Sequence, residues 1–204
     1  MRVPASVAVI AFALIFGAAS GCSSPDSDGS AGPNGTTPDS PSSQARPTLT
    51  ASKLQPPAQD SRFADPSRHD VVVDPCTWID DSTIQSAGFE PGTRKRGNDI
   101  VAEYTFLVCQ FNSSTRLLTI ESGNVSLDEV RQKYTGQTRE TKVNDREALI
   151  TSKSGDTCSV DMRTDVGYLG IAFLLTNQGK ESLKPCDGIV EAANKIEPSI
   201  GKGN

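Results

Sequence analysis

Between Ser23 and Ser43 the chain offers one aliphatic side chain, Ala31; every other position is Ser, Pro, Asp, Gly, Thr or Asn. Such a stretch cannot bury enough apolar surface to offset the entropy lost on ordering it. Folding is therefore confined to the residues on its carboxyl-terminal side. Regular hydrophobic patterning begins near Val71 and leaves about 130 of the 204 residues, the size of one domain with a single core. The expected organisation is a leader over 1–21, a tether over 22–70, a globular domain over 71–198 and a short tail over 199–204.

The leader is apolar from Val7 to Ala19, 13 residues preceded by one charge, Arg2. Crossing a bilayer as a helix takes about 20 residues, so this length fits a secretory signal better than a span. Ala19-Ser20-Gly21 supplies the small side chains of a cleavage site, and Cys22 follows at once. That order is similar to the bacterial lipobox, with Ala19 where Leu is favoured. It implies diacylglycerol on the Cys22 thiol and an acylated amino terminus. The expected location is the extracytoplasmic face of the cell membrane, with the membrane itself as partner through the anchor. Several acyl chains make such attachment stable, whereas one gives only marginal binding. A tether of roughly 45 residues reaches about 35–40 Å as a flexible coil.

Within the patterned part, Asp80 or Asp81 starts a short helix that Gly88 ends. "VAEYTFLVCQF" reads as a strand, Asn112-Ser113-Ser114 as a turn, and "TRLLTIE" as the returning strand. Ser126 and Glu129 have capping-box spacing, with Val125 and Val130 placed as a hydrophobic staple. "REALITS", "CSVDMRT" and "YLGIAFLLT" form an antiparallel meander, the last central because it is apolar throughout. A final helix is expected from Pro185, with Cys186 on its buried face, ending at Pro198. The order predicts an α+β fold: one antiparallel sheet with helices packed on it, an α/β/α-like sandwich.

Five cysteines leave one over if they pair, and Cys22 is the odd one. Cys76, Cys109, Cys158 and Cys186 permit three pairings. The expectation is the sequential one, Cys76 with Cys109 and Cys158 with Cys186, each stapling a helix to the sheet in an oxidising compartment. Spacing of the C-x-x-C type, which would signal a redox or metal site, is absent from the sequence.

Composition excludes more chemistry than it supplies. The one histidine, His69, lies in the tether, so the domain has no imidazole for a triad, a zinc site or a general base. From Val71 onward 15 Lys or Arg face 19 Asp or Glu, a net −4 that argues against a nucleic-acid partner. The basic cluster Arg94-Lys95-Arg96 reads as a solvated loop between strands, with contact to anionic headgroups or wall polymer as the alternative. Ser199-x-x-Lys202 lacks the companion motifs of the penicillin-binding set, and Asp156, Asp161 and Asp165 lack calcium-loop spacing. No cofactor and no catalytic residue is expected.

The Asp74-Pro75-Cys76 opening, the Pro185-Cys186 pair, the lipobox and the Ser/Pro tether together resemble the actinobacterial lipoproteins of unknown function called DUF3558. Trp78-Ile79 stands here where an aliphatic pair is usual. The resemblance implies a lipid-anchored exported protein and supplies no activity. A more distant architectural likeness to the PsbP/Mog1-type sandwich concerns the fold alone. The expected role is a non-catalytic domain that binds an envelope protein, a lipid or a cell-wall ligand. The alternatives are an envelope enzyme working through two facing carboxylates, and a purely structural accessory protein.

Overall fold

The computed structural model describes residues 49–202 and 204. The leader, Cys22 and most of the expected tether lie outside the described residues.

Eight strands form one antiparallel sheet: β1 Glu90–Arg96, β2 Ile100–Val101, β3 Thr105–Asn112, β4 Arg116–Gly123, β5 Thr138–Val143, β6 Arg146–Ser154, β7 Thr157–Arg163 and β8 Tyr168–Leu175. Their order is β1-β3-β4-β8-β7-β6-β5, with β2 paired to the start of β3. The β3–β4 hairpin and the β5–β8 meander are thus two units joined where β8 lies against β4. The apolar "IAFLL" segment of β8 is central, as its composition requires.

Period-two alternation divides the sheet into two faces. Cys109, Ile120, Ile171, Val160 and Ile150 are neighbours in register across five strands, and all face one side. Helices α1 Pro75–Trp78, α2 Asp81–Ser86 and α5 Ile189–Ile196 cover that side and contribute Cys76, Ile84, Ile189 and Ala193 to the main core. The other side carries α3 Leu127–Lys133 alone, over a smaller cluster of Leu127, Val130, Leu149 and Tyr168. A last short helix, α4 Asn177–Lys180, follows β8.

Helix starts follow the sequence closely. Asp80 caps α2 through the Thr83 N–H at 2.7 Å, and Gly88 takes φ +90° just past the helix end. The Ser126/Glu129 capping box of α3 is complete, with the Ser126 hydroxyl accepting from the Glu129 N–H and the Glu129 carboxylate accepting from the Ser126 N–H. The two disulfides, Cys76–Cys109 and Cys158–Cys186, lie on the helix-covered side.

Five expectations are corrected. The final helix starts at Ile189, after Gly188 at φ +74°; Pro185 and Cys186 lie in the preceding turn, and Cys186 is half-buried. The left-handed glycine breaks the helix there, and the bond to Cys158 holds the turn against the sheet. The expected tail instead packs: Ile200 is fully buried in a 3₁₀ turn over Glu197–Ile200, and Arg146 binds the carbonyls of Gly201 and Asn204. "VAEYTFLVCQF" is interrupted, because a turn from Ala102 to Tyr104 folds β2 back onto β3. Strand β5, a polar edge, carried no hydrophobic signal to predict it. Arg94-Lys95-Arg96 belongs to an edge strand, β1, and is no loop.

The β1 correction explains the Asp-Pro-Cys opening. Asp74 Oδ1 caps α1 through the Thr77 N–H at 2.9 Å, while Asp74 Oδ2 accepts from Arg96 Nη2 at 2.6 Å. Pro75 begins α1, where a missing N–H costs nothing. Cys76 then ties the helix to β3. Arg94 lies over the Phe111 ring at 4.8 Å and bonds Asp81 at 2.7 Å. Two of the three basic groups are therefore used inside the fold, and Lys95 alone is exposed.

Candidate functional site

Residues 49–70, read as tether, form a strap along the domain. Leu54 is buried in the main core, and its carbonyl accepts from Arg96 at 2.5 Å. Gln59 exchanges two hydrogen bonds with the backbone of Val71, both 2.8 Å. The strap satisfies its polar groups through such side chains, which lets a segment poor in hydrophobic residues dock. Near its end Arg68 reaches across to α3, pairing with Glu129 at 2.6 Å and lying 4.4 Å above the Tyr104 ring. Arg68 also donates to the Asn124 carbonyl at 2.8 Å, and the Asn124 side chain returns a bond to the His69 carbonyl at 3.2 Å. The Arg68 hydrogen bond is the largest influence holding the Glu129 carboxyl down at about 2, with the Ser126 N–H next.

That contact forms one side of a cavity of about 580 Å³ between α3 and the exposed side of the sheet. Tyr104, Phe106, Val125, Val130, Tyr134 and Tyr168 supply its apolar walls. Glu121 and Asp161 lie at its base, and the exposed Lys133 and Lys153 stand at its mouth. Pocket size and an apolar lining with few polar groups are the usual marks of a small-molecule site.

Strand register builds the base. Glu121 on β4, Gly170 on β8 and Asp161 on β7 are consecutive partners in one row. Two strand spacings set the acidic residues' backbones about 9–10 Å apart. Gly170 lets the Asp161 carboxyl and the Tyr168 ring close in over the row: a Cβ there would stand 2.7 Å from Asp161 Oδ1 and 2.9 Å from the Tyr168 ring. Asp161 is 1% exposed. Its Oδ2 accepts from the Ser159 hydroxyl at 3.1 Å and the Thr151 hydroxyl at 3.4 Å. Burial raises its pKa above the ordinary carboxylate range, against the pull of Lys153. Tyr168 donates its hydroxyl to Glu121, and burial followed by that neighbouring charge raises the phenol strongly.

A second cavity, about 410 Å³, opens between the strap and α1. Its one carboxylate, Asp74, is already held by Arg96. The α3 cavity is the better candidate because its acidic groups face open space.

The model of the family described as a protein of unknown function, DUF3558, matches residues 17–199. The chain belongs to this family. The DUF3558 match takes in the strap, every strand and both sides of the sheet. No curated protein and no solved structure matches the chain.

The four paired cysteines fall on the helix-covered side, away from the cavity, and His69 is exposed at the end of the strap. Ser199 lies in the final 3₁₀ turn, where its hydroxyl reaches Thr83. Sequence reasoning weighed Asp161 only as a calcium-loop element and did not single out Glu121, Tyr168 or Lys153. Two signals pointed to them. "CSVDMRT" alternates Cys158, Val160 and Met162 against Ser159, Asp161 and Arg163. Gly170 interrupts an apolar central strand, a mark of close approach.

Proposed function

We propose that the chain is an exported lipoprotein, anchored through Cys22, whose domain binds a small envelope ligand in the cavity under α3. The anchor reading rests on the apolar Val7–Ala19 run, the small residues before Cys22, and the use of the other four cysteines in disulfides. Disulfides of this kind belong to oxidising compartments. The binding reading rests on one observation: an aromatic-walled cavity lined by Glu121 and by the buried Asp161, whose hydrogen bonds from Ser159 and Thr151 both go to Oδ2. A sheet side left uncovered for no purpose would hold apolar or fully bonded polar residues instead.

Both parts have direct tests. Wild-type chain should carry label from a fatty-acid precursor and partition with membranes; unchanged labelling of Cys22→Ala would remove the anchor. For binding, the chain exposed to an envelope small-molecule extract should retain a mass adduct in native mass spectrometry. Gly170→Leu, which displaces Asp161 and Tyr168 at the base, should not. Equal adducts on both proteins, or none on the wild type, would remove the cavity as the binding site.

The Glu121/Asp161 pair also favours a second reading, a carboxylate-dependent enzyme. Two carboxyl groups across one cleft are the minimum for acid–base hydrolysis. Release of soluble product from peptidoglycan or envelope glycans, lost in Asp161→Asn, would establish it in place of simple binding.

A further inference from the structure

Taking the α3 cavity as a binding site, we infer that its ligand is a small zwitterion: an ammonium group seated between Glu121 and Asp161, with the anionic end toward Lys133 and Lys153. The base of the cavity holds two carboxyl groups, and the cation that acts on Asp161, Lys153, stays beyond ion-pair distance. Among the described residues no Arg, Lys or His lies within ion-pair distance of either carboxylate. Every other carboxylate deep in this fold is answered: Asp74 and Asp99 by Arg96, Glu197 by Arg146. A buried carboxylate without a partner is costly, and a ligand cation offsets that cost on binding.

The hydrogen-bonding pattern points the same way. Oδ2 of Asp161 already accepts from two hydroxyls, and Glu121 Oε1 from Tyr168. What the base lacks is donors from above. An ammonium brings three donors and no acceptor.

The walls suit an organic cation better than a bare metal ion. Phe106 and Tyr168, ring centroids 6.4 Å apart, flank the base, and aromatic faces attract alkylammonium groups. A hard cation would want six or more oxygens, and the described residues hold no group of three or more metal-binding side chains. At the mouth the sign reverses. Lys133 and Lys153 each hold Nζ 5.4 Å from the centre of the Tyr134 ring. Both line the cavity, so two cations stand where a carboxylate or phosphate would leave it. Free peptide ends and aminoalkyl phosphate headgroups both carry this pairing of charges.

Isothermal titration of the full chain in detergent distinguishes these. The probes are a dipeptide with both ends free, its N-acetyl form, its carboxamide, and phosphoethanolamine. Binding by the free dipeptide or by phosphoethanolamine is expected, and whichever is tighter identifies the peptide or the headgroup source. N-acetylation, Glu121→Gln and Asp161→Asn should each weaken binding about tenfold or more. The carboxamide should lose less, and Lys153→Ala should erase the difference between acid and amide. Circular dichroism of the isosteric variants checks that they fold. Absence of binding by both zwitterions at millimolar concentration, or equal affinity of the N-acetyl form, overturns the inference. If the N-acetyl dipeptide or a neutral oligosaccharide instead shifts the Tyr134 and Tyr168 resonances, the cavity stands as a binding site and the ammonium assignment alone falls.

Discussion

The two sides of the sheet use the same strands to opposite ends. On the helix-covered side, the central row across the strands is apolar, both disulfides are present, and three helices and the strap close the surface. On the other side, one seven-residue helix covers a row that includes Glu121, Gly170 and Asp161. The first side carries stability. The second spends part of it, since burial of the Asp161 carboxyl opposes folding. The difference teaches where to look for function in an antiparallel domain: at the side whose alternation brings polar groups into a buried row.

The contrast can be broken first on the sealed side. Phe173 is fully buried and packs 5.4 Å from Phe89, so Phe173→Ala should cost about 3–5 kcal/mol in urea unfolding. A loss below about 1 kcal/mol would mean that this side is not the main source of stability. Replacing both Cys158 and Cys186 by Ala opens a loop with a sequence separation of 28 and should cost about 3.5 kcal/mol by chain-entropy reasoning. The domain should remain folded and the cavity unaltered, because the bond lies on the opposite side.

On the open side the sign should invert. Asp161→Asn should raise stability at neutral pH by about 0.5–1 kcal/mol, even as ligand binding falls. The linkage comes from the raised folded pKa. Above the unfolded value the folded state holds the extra proton, so stability declines as pH rises towards the folded value. Lys153 opposes that rise, Glu121 adds to it, and the Ser159 and Thr151 hydroxyls moderate it. The variant should remove this decline from thermal melts between acid and neutral pH.

The smallest effect lies at the strap. Glu129 is held at about 2, below its ordinary 4.5, so its contribution is present above 4.5 and lost as pH falls towards 2. Arg68→Gln should return the Glu129 titration, followed by carboxyl NMR, towards the ordinary value. The cost at neutral pH should stay under about 1 kcal/mol, because the Glu129 side chain is 39% exposed. An unmoved titration would mean that the capping box alone holds the carboxylate, and that the strap is not coupled to the cavity wall.

Much of the central fold was legible in the sequence. Periodicity located the central β8, the α3 cap was readable from Ser126 and Glu129, and the sheet class followed from the order of elements. The edges were not. Thr138–Val143 has no apolar alternation because only Val143 is buried, and Arg94 and Arg96 look solvated until Asp81 and Asp74 arrive from elsewhere in the chain. The strap was hidden because Gln59 and Arg68 hold it by polar side-chain contacts, which leave no hydrophobic pattern. The site was hidden for a related reason: its base is a relation across three strands, and no single segment contains it.

The row Glu121–Gly170–Asp161 has a consequence for assembly as well as for binding. Slipping β4 or β7 by one residue would turn every side chain to the opposite side. It would drive Glu121 or Asp161 into the position of Ile120 or Val160, at the centre of the apolar core. The acidic residues thereby proofread strand pairing, since a one-residue slip leaves them no place to face.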